Sequence, residues 1–365
     1  MNIHPYTSSE SDDFYHIWNA CFGDSQGIID EFLDAFRGNI RKFTLTGQGN
    51  QVCAALTQFH MGTLSELSTA SHAADISAVP VQISYAIGTD PLQRGHGYGS
   101  AITQYAAEQA EKNHALSVLS PADQGLVNFY LPLNYIPFFY KEELTAEAAS
   151  KSDRNIDNLI IRPVSPAEYH ILREEFLQNR PHIFLSDQAL AYEALCAGAE
   201  MPDDSSASAD LSTDPLTASS AAAAADNPAE GSSESFPSTG FFRCSAPLSC
   251  IFTVEPAEDS DLLYIPELLA EREQNKEKLT SVLSLFAAFF HKSHAFCMTP
   301  AGKGSDTALV HGMVHIPDTP EAGAEAESEH QQEHAAAQKL TEAMQMIRES
   351  SSRQPLHAWL GFAFD

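Results

Sequence analysis

From Val81 to Ile87 the chain alternates, with Val81, Ile83, Tyr85 and Ile87 on one face and Gln82, Ser84 and Ala86 on the other. A period of two predicts a strand. Asp90-Pro91 ends it, because proline lacks an N–H and restricts the residue before it. Arg94-Gly95-His96-Gly97-Tyr98-Gly99 follows, and from Ser100 to about Asn113 the apolar positions recur with a helical period. Upstream, Phe14, Ile17, Trp18, Cys21 and Phe22 predict one helix face, and Ile28, Ile29, Phe32, Leu33 and Phe36 a second, stopped by Gly38. Arg41–Thr46 and Gln51–His60 read as a hairpin around residues 47–50, and Met61 to about Ala78 as a flap over substrate. Downstream come a buried strand at Leu116–Leu119, a short helix at Asp123–Leu131 and an aromatic strand at Tyr135–Lys141.

The second half restarts this pattern. Ile161-Arg162-Pro163-Val164 echoes Ile3-His4-Pro5-Tyr6, and Ser165-Pro166-Ala167-Glu168 is a capping box with proline at the first helical position. Further strands are predicted at 241–244, 248–255, 262–269, 295–298, 308–316 and 356–364, with helices at about 276–291 and 335–350. The expected organisation is a first domain over 1–143, a linker over 144–157, and a second, repeated domain over 158–365. Residues of about 200–239 are too poor in apolar side chains to bury themselves and are expected to be a disordered insertion, with an acidic loop at about 317–334. The order of elements implies an α/β (α+β) fold with a mixed, mostly antiparallel central sheet flanked by helices in each half.

A length of 365 residues favours two domains, and 43% hydrophobic residues suffices for globular folding. The formal charge of −29 argues against nucleic acid. About half of it comes from two polar segments, eight acids in 200–234 and six in 318–333, neither with Lys or Arg. Acidity therefore says little about a pocket. Six scattered cysteines without zinc spacing suit a reducing, cytoplasmic setting, and no apolar run reaches the ~18 residues of a membrane span. Cys244 and Cys250 flank a turn and either face one another across a hairpin or sit as separate core thiols.

A strand, a glycine turn and a helix N-terminus together suit an anion such as a pyrophosphate. Unpaired amides converge there, and glycines leave room for a bulky ligand. The alternative for such a stretch alone is a plain surface turn. A P-loop would need Lys-Ser or Lys-Thr after the last glycine, and a dinucleotide fingerprint would need Gly or Ala at Ser100. The string instead has the form Arg-x-x-Gly-x-Gly and resembles the GCN5-related N-acetyltransferase (GNAT) superfamily. Residues 1 to about 143 follow that family's order of elements. The tandem layout is similar to acetyltransferases of the enhanced-intracellular-survival type, with the second domain degenerate, since Ala270-Glu271-Arg272-Glu273-Gln274-Asn275 replaces the glycines. Those relatives carry a third, sterol-carrier-like domain for which this chain has no room.

The resemblance implies that Arg94, Gly95, His96, Gly97, Tyr98, Gly99 and Ser100 bind the pyrophosphate of acetyl-CoA. It also implies that the main chain at Tyr85, Ala86 and Ile87 stabilises the oxyanion. Leu126-Val127-Asn128-Phe129-Tyr130, followed by Asn134-Tyr135, resembles the family segment whose tyrosine reaches the CoA sulfur. Tyr130 is thus the candidate general acid, and Asn128 is a candidate for the pantetheine arm or a local cap. Asn134 stands where the family often has glycine and tolerates the left-handed conformation.

The base is less legible. Candidates are water relayed by Ser84 or Tyr85, and the terminal carboxylate of Asp365. His60 and His72 could face substrate. His311-x-x-x-His315 and His330-x-x-x-His334 raise metal binding, but the first pair falls on a strand and the second in an acidic loop, so no metal is expected. The expected activity is acetyl transfer to a small amine-bearing substrate or a protein amine. A non-catalytic CoA sensor or scaffold is the alternative, and a nucleotide-binding oxidoreductase a weaker third. No membrane partner is expected, and a homo-oligomer is left open.

Overall fold

The computed structural model describes residues 1–65, 79–150, 156–178, 180–199, 236–271, 275–302, 305–317, 331–353 and 358–360. The first half runs β1 (Asn2–Pro5), α1 (Ser11–Phe22), α2 (Gln26–Ala35), β2 (Ile40–Thr46), β3 (Val52–Leu64), β4 (Val79–Thr89), α3 (Tyr98–Lys112), β5 (Leu116–Leu119), α4 (Gln124–Tyr130) and β6 (Tyr135–Glu147). The second runs β7 (Ile160–Val164), α5 (Pro166–Leu177), β8 (Ile183–Leu185), α6 (Asp187–Cys196), β9 (Gly240–Ala246), β10 (Cys250–Val254), β11 (Leu262–Ile265), β12 (Leu268–Ala270), α7 (Lys276–Phe289), β13 (His294–Pro300), β14 (Leu309–His315) and α8 (Gln331–Arg353). The local signals hold. Ser25 caps α2, Ser165 accepts from the Glu168 N–H with Pro166 behind it, and Gly23 ends α1 in a left-handed conformation.

The main sheet has the order β1-β2-β3-β4-β5-β14-β6-β13-β11, and β8 pairs with the far end of β3. Its pairs are antiparallel except β4 with β5 and β11 with β13. On one face α1 and α2 bury Phe14, Ile17, Trp18 and Phe32 against Ala55, Phe59 and Ile83. On the other, Ile102 and Ala106 of α3 cover Phe43, Leu45 and Leu56.

A second sheet, β12-β10-β9-β7, repeats the order β4-β3-β2-β1. Both β1 and β7 are edge strands followed by two helices; the sequence echo covers only the strand and the first helix of each set.

The two halves share strands. β14 lies between β5 and β6, pairing Val314 with Val118 and His315 with Tyr135. β6 pairs with β14 over Tyr135–Lys141 and with β13 over Lys141–Glu147. Thus β6 runs past its expected end at Lys141 and through the expected boundary after Glu143. Period-two patterning locates a strand but not its partner. The expected linker begins inside this strand, and its residues 151–155 lie outside the described ones, as do 66–78 of the flap, 200–235 of the insertion and 318–330 of the acidic loop. Of the expected last strand, Ala358–Leu360 is described; it lies beside β6 and β8, bridging Ala358 to Phe139 and Trp359 to His182. Among the described residues, no helix is long and apolar enough to cross a membrane.

Candidate active site

The site begins where β4 and β5 part. They pair only at Val81–Leu116, Gln82–Ser117 and Ile83–Val118. Beyond Ile83, β4 keeps its partner β3 but leaves β5, so the strands splay. In the same segment the β3 register slips between Thr57–Tyr85 and Ala55–Gly88. Ala86 and Ile87 together face Leu56, and Ala86 has φ 50°. A non-glycine residue in the left-handed region marks a bulge that re-aims the main chain. This bulge falls on Tyr85–Ile87, the stretch assigned to the oxyanion.

The glycine turn follows. Asp90, nearly buried, accepts from the Leu92 N–H at 2.9 Å and sets a short 3-10 turn at Pro91–Gln93. Gly95 and Gly97 have φ of 83° and 77°, and a Cβ on either would meet nothing within 4 Å. Glycine is thus required here by conformation, and the turn keeps open space on its outer side. At Gly99 the reason is closeness, because a Cβ would sit 3.2 Å from Thr89 Oγ1. Helix α3 starts at Tyr98, two residues before its expected start, with Gly97 as N-cap and no side-chain cap. Its first-turn amides are therefore left to a ligand or solvent. His96 stacks on Tyr98 and bonds the Gln93 carbonyl at 3.0 Å, while Ser100 lies in the first turn of α3. Arg94 is exposed, its guanidinium 3.9 Å from Cys21 Sγ at the end of α1. An uncapped helix start, two open glycines and an exposed arginine fit a diphosphate.

Tyr130 ends α4 and is 6% exposed, its ring 5.9 Å from Tyr135 and 5.0 Å from Phe129. Burial pushes its phenol up to about 12. Asn134 takes φ 63°, so the turn that replaces the family's glycine survives. Asn128 is exposed, and its Oδ1 accepts from Gln124 Nε2 at 3.4 Å.

The other candidates divide. Ser84 points away from Tyr85, toward α3, where its Oγ is 3.5 Å from Gln58 Nε2 beside the buried Tyr135–Ser117 hydrogen bond. Strand alternation puts it on the opposite face from Tyr85, so it is not placed to relay water on that face. Tyr85 packs against Phe32 at 4.8 Å and Trp18 at 5.8 Å. His60 is half-buried, and desolvation holds its imidazole below the usual range. Asp365, His72 and His330 lie outside the described residues, and so does the His334 side chain. His311 and His315 are both buried on β14; His315 bonds Glu111 at 2.9 Å, whereas neither ring nitrogen of His311 has a partner. Among the described residues, no group of His, Cys, Asp and Glu could hold a metal.

Sequence reading missed Tyr192 of α6. It crosses from the second half to pack on Phe32 and Phe36, both at 5.5 Å, next to Tyr85. The N-cap Ser186, which accepts from Ala189, was a readable signal for α6; its docking on α2 was not.

Residues 2–137 match the family model for the acetyltransferase (GNAT) domain. No curated protein sequence matches the chain. Among solved structures, the chain is similar to a conserved protein of Enterococcus faecalis described as a probable N-acyltransferase. The TM-score is 0.52 at 12% identity, covering 86% of this chain and 72% of that one. It is also similar to GCN5-related N-acetyltransferases from Anabaena variabilis (TM-score 0.50, 14% identity, 86% and 72% covered) and Kribbella flavida (0.50, 13%, 86% and 70%). At these identities the likeness is one of fold. Residues 2–137 thus match the GNAT acetyltransferase domain, and most of the chain is similar in fold to GNAT acetyltransferases of known structure.

Proposed function

We propose that this chain is an N-acetyltransferase that moves the acetyl group of acetyl-CoA to a primary amine by direct attack. The observation that carries this reading is the alignment along β4 of a splayed edge, the Ala86 bulge and an uncapped glycine turn, with Tyr130 on the neighbouring α4. When bound, acetyl-CoA supplies an activated thioester. The turn at Arg94–Ser100 holds its diphosphate, and the bulged main chain at Tyr85–Ile87 offers an amide to the oxygen that gains charge. Tyr130 donates its proton to the departing thiolate. A free thiol has a pKa near 8.5, so a phenol raised to about 12 reaches the reaction fully protonated. The amine must lose its proton first, at roughly 4.5 kcal/mol for a pKa of about 10.4 at pH 7. The second half, degenerate at its own helix start, closes the acceptor side through Tyr192.

The test is release of free thiol from acetyl-CoA across a panel of amines, with Tyr130→Phe beside the native protein. The native protein is expected to release thiol with at least one amine. The variant is expected to lose turnover by about 10²-fold or more while still binding CoA. Tyr130→Phe with native turnover would remove Tyr130 as the acid. Binding of CoA without thiol release from any amine would favour a sensor.

A further inference from the structure

Cys244 and Cys250 are paired residues of the β9–β10 hairpin, directly opposite each other in its antiparallel register. Directly opposed residues in such a ladder have Cα atoms about 4.5–5.5 Å apart, inside the roughly 4.4–6.8 Å that a disulfide requires. The two side chains sit in one buried cluster, close enough for each to shift the other's proton affinity. We propose that Cys244 and Cys250 are a dithiol exchange site that takes low-molecular-weight disulfides and closes into a cross-strand bond.

The two sulfurs are not equivalent. Cys244 Sγ lies 3.0 Å from the Ala246 carbonyl, to which it donates; the neighbouring Cys250 thiol, and then the main chain at Ala246, Leu248 and Ile160, hold its thiol below the ordinary range against burial. The neighbouring Cys244 and burial push Cys250 well above that range. Cys244 is thus the attacking sulfur and Cys250 the resolving one. Both are fully buried, but the turn that joins them, 245–249, is at the surface, with Ser245 and Pro247 exposed. Opening this one turn, a local fluctuation, uncovers the pair.

In the first step the Cys244 thiolate attacks one sulfur of the small disulfide. A new S–S bond forms, the old one breaks, and one small thiolate leaves and takes up a proton. Cys250 then gives up its proton and attacks Cys244 Sγ, and the second small thiol leaves. The small disulfide is reduced to two thiols, and the protein dithiol is oxidised.

The full chain is exposed to excess glutathione disulfide, denatured, alkylated, digested with trypsin and read by mass spectrometry. No Lys or Arg separates the two cysteines, so they share one peptide. That peptide is expected to lose both alkylations and two hydrogens, while Cys53 and Cys297 alkylate in full. Cys250→Ser is expected to trap a glutathione adduct on Cys244, and Cys244→Ser to leave Cys250 unmodified. Full alkylation of both thiols in the native chain overturns the proposal. So does a bridge from Cys250 to Cys297, or an adduct settling on Cys250. The native-chain result stands without the variants if either fails to fold.

Discussion

Tyr130 and His311 are both withdrawn from water, with opposite consequences for their protons. Burial holds the Tyr130 phenol at about 12, so it keeps its proton through any working pH. The activity of the native protein is therefore expected to rise with pH as the amine deprotonates, with no fall below about pH 10 owing to Tyr130; a pH–rate profile checks this. His311 is the reverse. Desolvation, and then the nearby Lys141 charge, lower its imidazole to about 3. Below its unfolded pKa of about 6.5 the unfolded chain binds a proton that the folded chain refuses. Stability is thus undiminished above about pH 6.5 and is lost as pH falls from there toward about 3. His311→Leu is expected to flatten this slope in urea unfolding at pH 7.5 and about 4.5. An equal acid loss in both proteins would contradict it.

At the scale of elements, the parts with a local cause were the legible ones. The alternation of Val81–Ile87 gave β4, the glycines gave the turn before α3, and Ser165-Pro166 gave the start of α5. Asn134 took its left-handed conformation for the reason expected of asparagine. The Ala86 bulge was not legible, because it is a slip of register against β3 and exists only in the pair. The facing of Ser84, opposite Tyr85, followed from alternation, but its closeness to Gln58 under α3 did not. One such non-local feature is the Glu267 carboxylate at the β11–β12 corner. It is fully buried and accepts from Tyr169 of α5 at 2.8 Å, from Arg173 Nε at 3.1 Å and from the Trp359 indole. Glu267→Gln leaves the Arg173 charge buried without its main counter-ion. It is expected to cost about 3 kcal/mol in urea unfolding, and a loss under about 1 kcal/mol would mean that the pair is not structural.

For the whole molecule, shared strands decide what can fold alone. Without β14, the strands β5 and β6 have no common neighbour, and the face that β14 covers would meet water. A fragment ending at Glu147 is expected to show no cooperative unfolding by circular dichroism, whereas the full chain does. A cooperative fragment would make β14 an accessory strand. The sequence announced the second half as a repeat, and its sheet does restate the order of the first. It could not announce that the repeat hands a strand back, since strand partners are chosen by the fold and not by period.

The central claim is that the main-chain amides of the Gly95–Gly99 turn hold the diphosphate of CoA. Calorimetric titration of CoA into the native chain and into Gly97→Glu tests it most directly. The carboxylate would enter the anion site, and the left-handed φ of 77° disfavours any side chain there. The account predicts saturable binding to the native chain and an affinity at least about 100-fold weaker in the variant, or roughly 2.7 kcal/mol. Equal affinity in the two proteins, or no binding to the native chain, would contradict it.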